Sequence, residues 1–169
     1  DQQQEARIPA LAAREMIEDL GAKGAPLGLV SFGDTSSTCQ SARVAVKMEL
    51  NAGERVLNEL NDIRPRYRAQ TPLLAALALA AEQAGPDGHV IAITDGIDTC
   101  QLNPCDLPKE YFAAKTSLIL VGLNVAEDEA GELECLAESA EGTYLSADSE
   151  LEMITLSEVT TALVDVSSK

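Results

Sequence analysis

Residues 89–108 read HVIAITDGIDTCQLNPCDLP. Val90–Thr94 is a continuous run of β-branched and apolar residues, the composition of a parallel strand covered by helices on both faces. The run ends at once in Asp95-Gly96, a pair suited to the turn that leaves a strand. Cys100 and Cys105 follow directly. In an open α/β sheet, ligands collect outside the carboxyl ends of the strands. Asp95 is therefore the first candidate for a binding role, weighed against a plain turn residue.

On either side of this strand, helical and extended patterns alternate. Upstream, Ile8, Leu11, Ala12, Met16 and Leu20 recur at helical spacing, with Arg14, Glu15, Glu18 and Asp19 on the opposite face. LGLVSF (27–32) reads as a strand, the turn-rich GDTSSTCQS follows, and ARVAVKMEL (42–50) alternates as the returning strand of a hairpin. A short helix is predicted over Gly53–Ile63. A loop with Arg64, Pro65, Arg66 and Arg68 then leads into the helical TPLLAALALAAEQAG (71–85). Downstream, TSLILVGL (116–123) is a second buried strand. A helix over Glu127–Ala140, a short strand at Thr143–Leu145 and a last helix over Glu150–Val166 complete the chain. Helices alternating with buried strands predict a three-layer α/β domain, its sheet mainly parallel with one antiparallel edge strand. Leu27–Phe32, Val90–Thr94 and Ser117–Gly122 are expected to be parallel members of one sheet.

Composition narrows the function. The 169 residues, 46% hydrophobic, fit one domain over residues 1–169 with one sizeable core. A formal charge of −16 and a pI near 4.2 argue against nucleic-acid and anionic-lipid partners and leave room for a cationic partner or a divalent cation. No run approaches the ~18 apolar residues of a membrane span, so membrane insertion is not expected. Asp1 begins too polar for a signal peptide, and any export signal is expected to have been removed or never to have existed.

Thr71-Pro72 opens the helix before the Asp95 strand. Threonine can cap a helix, and proline fits its first position. Topology puts the Thr71 hydroxyl and the Asp95 carboxylate on the same rim of the sheet, an oxygen-rich arrangement suited to Mg2+ or another hard divalent cation. Asp98 is nearby in sequence and, as a charged loop residue, is expected to face solvent.

Four cysteines permit three complete pairings. The preferred one joins Cys100 to Cys105, clamping the loop beside Asp95, in an oxidising compartment. Cys39 to Cys135 is a possible second bond, while Cys135 on its own reads as a buried free thiol in a helix. A four-cysteine zinc site matches the spacing poorly.

Catalytic signals are sparse. His89, the single histidine, stands at the start of a strand, Ser36-Ser37 shows no nucleophile elbow, and there is no phosphate-binding glycine loop. The enzyme alternative is a metal-assisted phosphohydrolase, which would need further acidic ligands near Asp95.

LGLVSFGD (27–34), TPLLAAL (71–77), VIAITDGIDTC (90–100), SLILVGLNV (117–125) and LECLAESAEGTYLSADSELEMI (133–154) together resemble the von Willebrand factor type A domain family. Their order and spacing cover nearly the whole family domain, and ITDGIDTCQLNPC looks most like bacterial exported members. The resemblance implies a Rossmann-like fold and non-enzymatic binding of a protein or extracellular ligand through a metal-ion-dependent adhesion site. It also implies an extracytoplasmic location, periplasmic or secreted. Thr71 and Asp95 match two elements of that site. The third, an apolar central strand ending in Asp-x-Ser-x-Ser, is not found intact before the first helix. Asp1 stands at about the right distance to be its aspartate, with Gln3 and Glu5 at the serine positions. LVDVSSK, with Asp165 and Ser167, resembles the motif superficially but lies on an amphipathic helical pattern. A structural module of an envelope or pilus assembly is the remaining alternative.

Overall fold

The computed structural model describes residues 7–34, 36–63, 68–101, 105, 112 and 116–147. Asp1, Arg64, Pro65 and Arg66, and the helix expected over Glu150–Val166 with Asp165 and Ser167, lie outside these residues.

Helix α1 (Arg7–Ala22) leads into strand β1 (Leu27–Ser31), which turns back as β2 (Arg43–Glu49). Helices α2 (Gly53–Asp62) and α3 (Leu73–Ala84) precede β3 (His89–Thr94) and β4 (Ser117–Leu123). Helix α4 (Glu127–Ser139) and β5 (Thr143–Ala147) follow. The sequence LLAALALAAEQA makes α3 helical because alanine and leucine lose little entropy there. Gly85 ends the helix at φ 69°, its N–H donating to the Ala81 carbonyl at 2.9 Å. Glu127, Asp128 and Glu129 crowd the first turn of α4, where the helix dipole favours negative charge.

β3 and β4 pair in parallel, from His89 opposite Ser117 to Thr94 opposite Gly122. β5 joins the far edge of β4, also parallel, from Ile119 opposite Thr143 to Leu123 opposite Ala147. β1 and β2 form an antiparallel hairpin, with register irregularities on either side of Leu29. The mixed α/β architecture, with parallel strands and an antiparallel edge strand, is the Rossmann-like class expected. One expectation is corrected: β1 does not pair in the sheet that holds β3 and β4. The strands form two hydrogen-bonded groups, β1–β2 and β3–β4–β5. No strand among the described residues lies between β1 and β3 to join them.

The two groups are nevertheless parts of one layer, because α3 packs against β1, β2 and β3 alike. Leu73, Leu74, Leu77 and Ala81 of α3 and Leu133, Leu136 and Ala137 of α4 bury one face, against Val90, Leu118 and Leu120. On the other face Val121, Leu123 and Ala147 form a second cluster, and Ala13 and Ile17 of α1 meet Val46, Ala52 and Val56 in a third. The period-two alternation of β4 feeds two of these cores at once, Leu118 and Leu120 to one face, Val121 and Leu123 to the other. Gly122 continues the first face without a side chain. The Tyr144 ring of β5 lies across it, so a Cβ at Gly122 would overlap the tyrosine hydroxyl. No described helix is long and apolar enough to cross a membrane.

Candidate functional site

The carboxyl ends of β1 and β3 open into two loops, and the chain segment before α3 lies between them. Asp95 follows the last residue of β3 and is exposed. Its turn is clamped from beneath: Thr94 Oγ1 donates to the Gly96 carbonyl at 2.8 Å and accepts from the Gly96 N–H at 3.3 Å. The Asp95 carboxylate itself has no hydrogen-bond or ion-pair partner among the described residues.

Thr71 is held by backbone alone. Its N–H donates to Thr99 Oγ1 at 2.8 Å, and its carbonyl accepts from the Thr99 N–H at 3.1 Å. One residue earlier, the Gln70 N–H donates to the Ser37 carbonyl at 2.9 Å. Segment 70–71 is thereby bonded to both strand-end loops. The Thr71 hydroxyl has no hydrogen-bond partner among the described residues and does not cap α3. Pro72 occupies the cap position rather than the first helical one, a correction to the expected Thr71 cap.

Asp98 caps the helix instead. It is 4% exposed, which overturns the expected solvent-facing side chain. Oδ2 accepts from the Leu74 N–H at 2.8 Å, while Oδ1 accepts from the Cys100 N–H at 2.6 Å and the Gln101 N–H at 2.9 Å. A carboxylate taking three backbone N–H groups is well compensated for burial, and the amino end of a helix favours its charge. Asp98 and Thr99 are the rim residues that sequence reasoning misses. The aspartate followed by N–H groups two and three positions on is the signal of an Asx turn.

The loop after β1 is braced in a similar way. Asp34 is engaged by Ser31 Oγ at 3.2 Å and by the Arg43 guanidinium at 2.9 Å. The Gly33 N–H donates to the buried Ser41 Oγ at 2.9 Å. Gly33 has φ 77°, and a Cβ added to it would stand 3.6 Å from the Ala69 Cβ, so the first loop rests directly on the segment leading to Thr71.

Disulfides complete the rim, and they correct the expected pairing. Cys100 is bonded to Cys39 and Cys105 to Cys135, with Cα separations of 5.8 and 5.4 Å. Cys100 and Cys105 are not bonded to each other, and Cys135, on the exposed side of α4, is not a buried free thiol. The physical reason is topological. Cys39 follows β1 and Cys100 follows β3, so their loops meet at one rim, while Cys105 is carried across to α4. Bonds spanning 61 and 30 residues restrict the unfolded chain more than a five-residue loop would, by about 4 kcal/mol each against about 2 kcal/mol on chain entropy.

Thr71 is thus bonded to Thr99, four residues beyond Asp95 in the loop that leaves β3. Asp1 lies outside the described residues. Among the described residues no group of three His, Cys, Asp or Glu side chains could hold a metal ion, and Asp98 spends both oxygens on backbone N–H groups. Thr71 and Asp95 by themselves do not make a cation cage, which needs about six oxygens. His89 sits at the opposite end of β3, exposed, with Nδ1 2.6 Å from Ser117 Oγ. A solvent-open depression of about 400 Å³ lies elsewhere, between β2 and α2, lined by Val46, Lys47, Glu49, Arg55 and Glu59 among others.

No family model matches the chain, and no curated protein matches it. Solved structures do. Proximal thread matrix protein 1 from the mussel byssus is 20% identical with a TM-score of 0.71, over 96% of this chain and 43% of that one. A form of the same mussel protein described with a zinc-occupied MIDAS motif gives a TM-score of 0.70 at 20% identity, over 96% of this chain and 43% of that one. A von Willebrand factor type A protein from Catenulispora acidiphila is 19% identical with a TM-score of 0.68, over 92% of this chain and 38% of that one. An aerotolerance-related membrane protein from Bacteroides fragilis is 15% identical with a TM-score of 0.62, over 90% of this chain and 88% of that one. The chain spans less than half the length of the mussel and Catenulispora proteins. These likenesses show the fold: the chain has a von Willebrand factor type A-like fold.

Proposed function

We propose that residues 1–169 act as a single, non-enzymatic recognition domain that binds a protein or other extracellular ligand through the rim carrying Thr71 and Asp95. One observation carries this reading. The Thr71 hydroxyl and the Asp95 carboxylate have no hydrogen-bond partners among the described residues, on a rim whose backbone is pinned by Asp98, Thr99 and the Cys39–Cys100 bond. A rigid rim with uncommitted polar groups suits binding, because little ordering entropy is lost on association. Two disulfides support an oxidising, extracytoplasmic setting, periplasmic or secreted. The similar mussel protein, a byssus matrix protein, supports an adhesive or assembly role.

The reading does not route through a cation; whether Mg2+ or another divalent ion joins Thr71, Asp95 and Asp1 is an arm of the test. The native protein and its Asp95→Asn, Thr71→Ala and Leu50→Ser variants are immobilised and exposed to an envelope and secreted-protein fraction, with and without chelator. The expected result is a bound protein retained by native and Leu50→Ser forms and lost from the other two, all four folded by circular dichroism. Equal retention by all four would overturn the rim as the binding surface. Loss of binding with chelator would add the cation. Hydrolysis of p-nitrophenyl phosphate, abolished by Asp95→Asn, would establish the phosphohydrolase instead.

A further inference from the structure

We propose that two copies of this chain pair in solution through the free edge of β2 and the depression that β2 shares with α2, antiparallel and in register about Val46. β2 is hydrogen-bonded to β1 alone among the described strands, so its outer edge offers N–H and C=O groups to a partner. Gln83 of α3 takes the Met48 N–H at 3.1 Å, which leaves Arg43–Lys47 as the open length. Beside this edge lies the solvent-open depression of about 400 Å³, walled on its other side by Arg55, Asn58 and Glu59. Those three recur at helical spacing and share one face of α2.

The charges select a second copy as the occupant. The chain carries 28 acidic and 12 basic side chains, so two copies repel over most of their surfaces. The depression departs from that imbalance, with Lys47 and Arg55 matched by Glu49 and Glu59. Their order matters as much as their number. β2 reads RVAVKME (43–49), a cation at one end and an anion at the other. α2 runs back along it, because Arg55 pairs with Glu49 and Arg43 stands 3.9 Å from Glu59. One end of the face therefore carries Arg43 with Glu59, and the other carries Glu49 with Arg55.

A two-fold axis at Val46 lays these two ends on each other. Arg43 then falls opposite Glu49 of the second copy, Val44 opposite Met48 and Lys47 opposite Ala45. Glu59 is likewise brought to Arg55 of the second copy, so that four charges alternate in sign at each end. Opposite charges across a strand pair are favourable and like charges are not. Centring on Ala45 would set Arg43 against Lys47, and centring on Lys47 would set that lysine against itself. The register about Val46 is thereby preferred to both neighbours, and the contact is isologous. Arg43 is already held by Asp34 at 2.9 Å, so little of its freedom is lost on pairing. A seven-residue strand makes a small contact, and the dimer is accordingly reversible.

The inference does not rest on the rim's binding role. To test it, the full oxidised chain is compared by sedimentation equilibrium with a variant carrying Glu49→Arg and Arg55→Glu. The exchange keeps the net charge and the ion pair between these two positions, and circular dichroism checks the fold. Across the two-fold, however, it opposes Arg43 to an arginine and Glu59 to a glutamate. The native protein should pass from monomer to dimer as concentration rises, and the variant should need at least about tenfold more protein to do so, since like charges replace opposite ones at both ends. A native protein still monomeric at about 1 mM, or equal dimerisation of the two forms, would overturn the proposal. A photo-crosslinking amino acid at Lys47, which is exposed, gives a second measurement that needs no charge exchange. In a mixture of isotope-labelled and unlabelled copies, the expected product joins position 47 to a peptide of the other copy that contains Ala45. Links between copies through any other segment, or no link between copies, would sink it as well.

Discussion

Asp98 and Leu74, 24 positions apart, are joined by a 2.8 Å hydrogen bond from the Leu74 N–H to Asp98 Oδ2. The bond anchors the amino end of α3 to the loop after β3, so the helix and the rim cannot move separately. Asp98→Ala should destabilise the protein by about 2–3 kcal/mol, because three backbone N–H groups lose a charged acceptor in a buried setting. Asp95→Asn, on the exposed neighbour, should stay within about 0.5 kcal/mol. Urea unfolding followed by circular dichroism measures both. Equal midpoints for Asp98→Ala and the native protein would contradict the anchoring role.

Peptide mapping without reduction should recover one linked pair containing Cys39 and Cys100 and another containing Cys105 and Cys135. Cys39→Ser with Cys100→Ser should lower stability by about 2–4 kcal/mol. An internal Cys100–Cys105 loop in the map would refute the pairing.

Leu120, fully buried between α3 and α4, should lose about 3 kcal/mol on replacement by alanine, from lost burial and the cavity left behind. Leu50, 63% exposed, should tolerate Leu50→Ser with a change of about 0.5 kcal/mol or less. Thermal melts of the two variants separate these outcomes.

Gly122→Ala should destabilise by about 1–3 kcal/mol, since the new methyl meets the Tyr144 ring in a packed core. Tyr144→Phe in the same chain should restore part of the loss, because the hydroxyl is the nearest atom to the added carbon. A double-mutant cycle with no coupling between the two positions would refute the contact.

The elements buried on both faces are the most legible from sequence. Val90–Thr94 and Ser117–Leu123 are apolar almost without interruption, and α3 is a run of alanine and leucine, so period and composition agree at each. The rim is harder to read. Charged loop residues are exposed as a rule, and Asp98 departs from it because Leu74, Cys100 and Gln101 supply N–H groups that only a folded rim brings together. Thr71 has the right chemistry to cap α3, but Asp98 takes that place from another segment. Short spacing suggests one cysteine pairing, whereas strand direction decides for another. Two loops that leave the same ends of parallel strands are neighbours however far apart they stand in sequence. The division of the strands into two hydrogen-bonded groups is not legible either, because apolar runs mark strands without saying which of them are neighbours.

The two disulfides also carry a consequence for biosynthesis. In the newly made, reduced chain, Cys100 meets Cys105 far more often than Cys39, because closing five residues rather than 61 saves about 2 kcal/mol of loop entropy. Chain entropy therefore favours the Cys100–Cys105 bond early, and that bond would consume a cysteine from each native pair. Reaching the native connectivity requires thiolate attack on that bond and exchange to the distant partner. The Cys39 or Cys135 thiolate of the same chain can make that attack, releasing the other half of the loop for oxidation to its own partner, so maturation involves exchange as well as net oxidation.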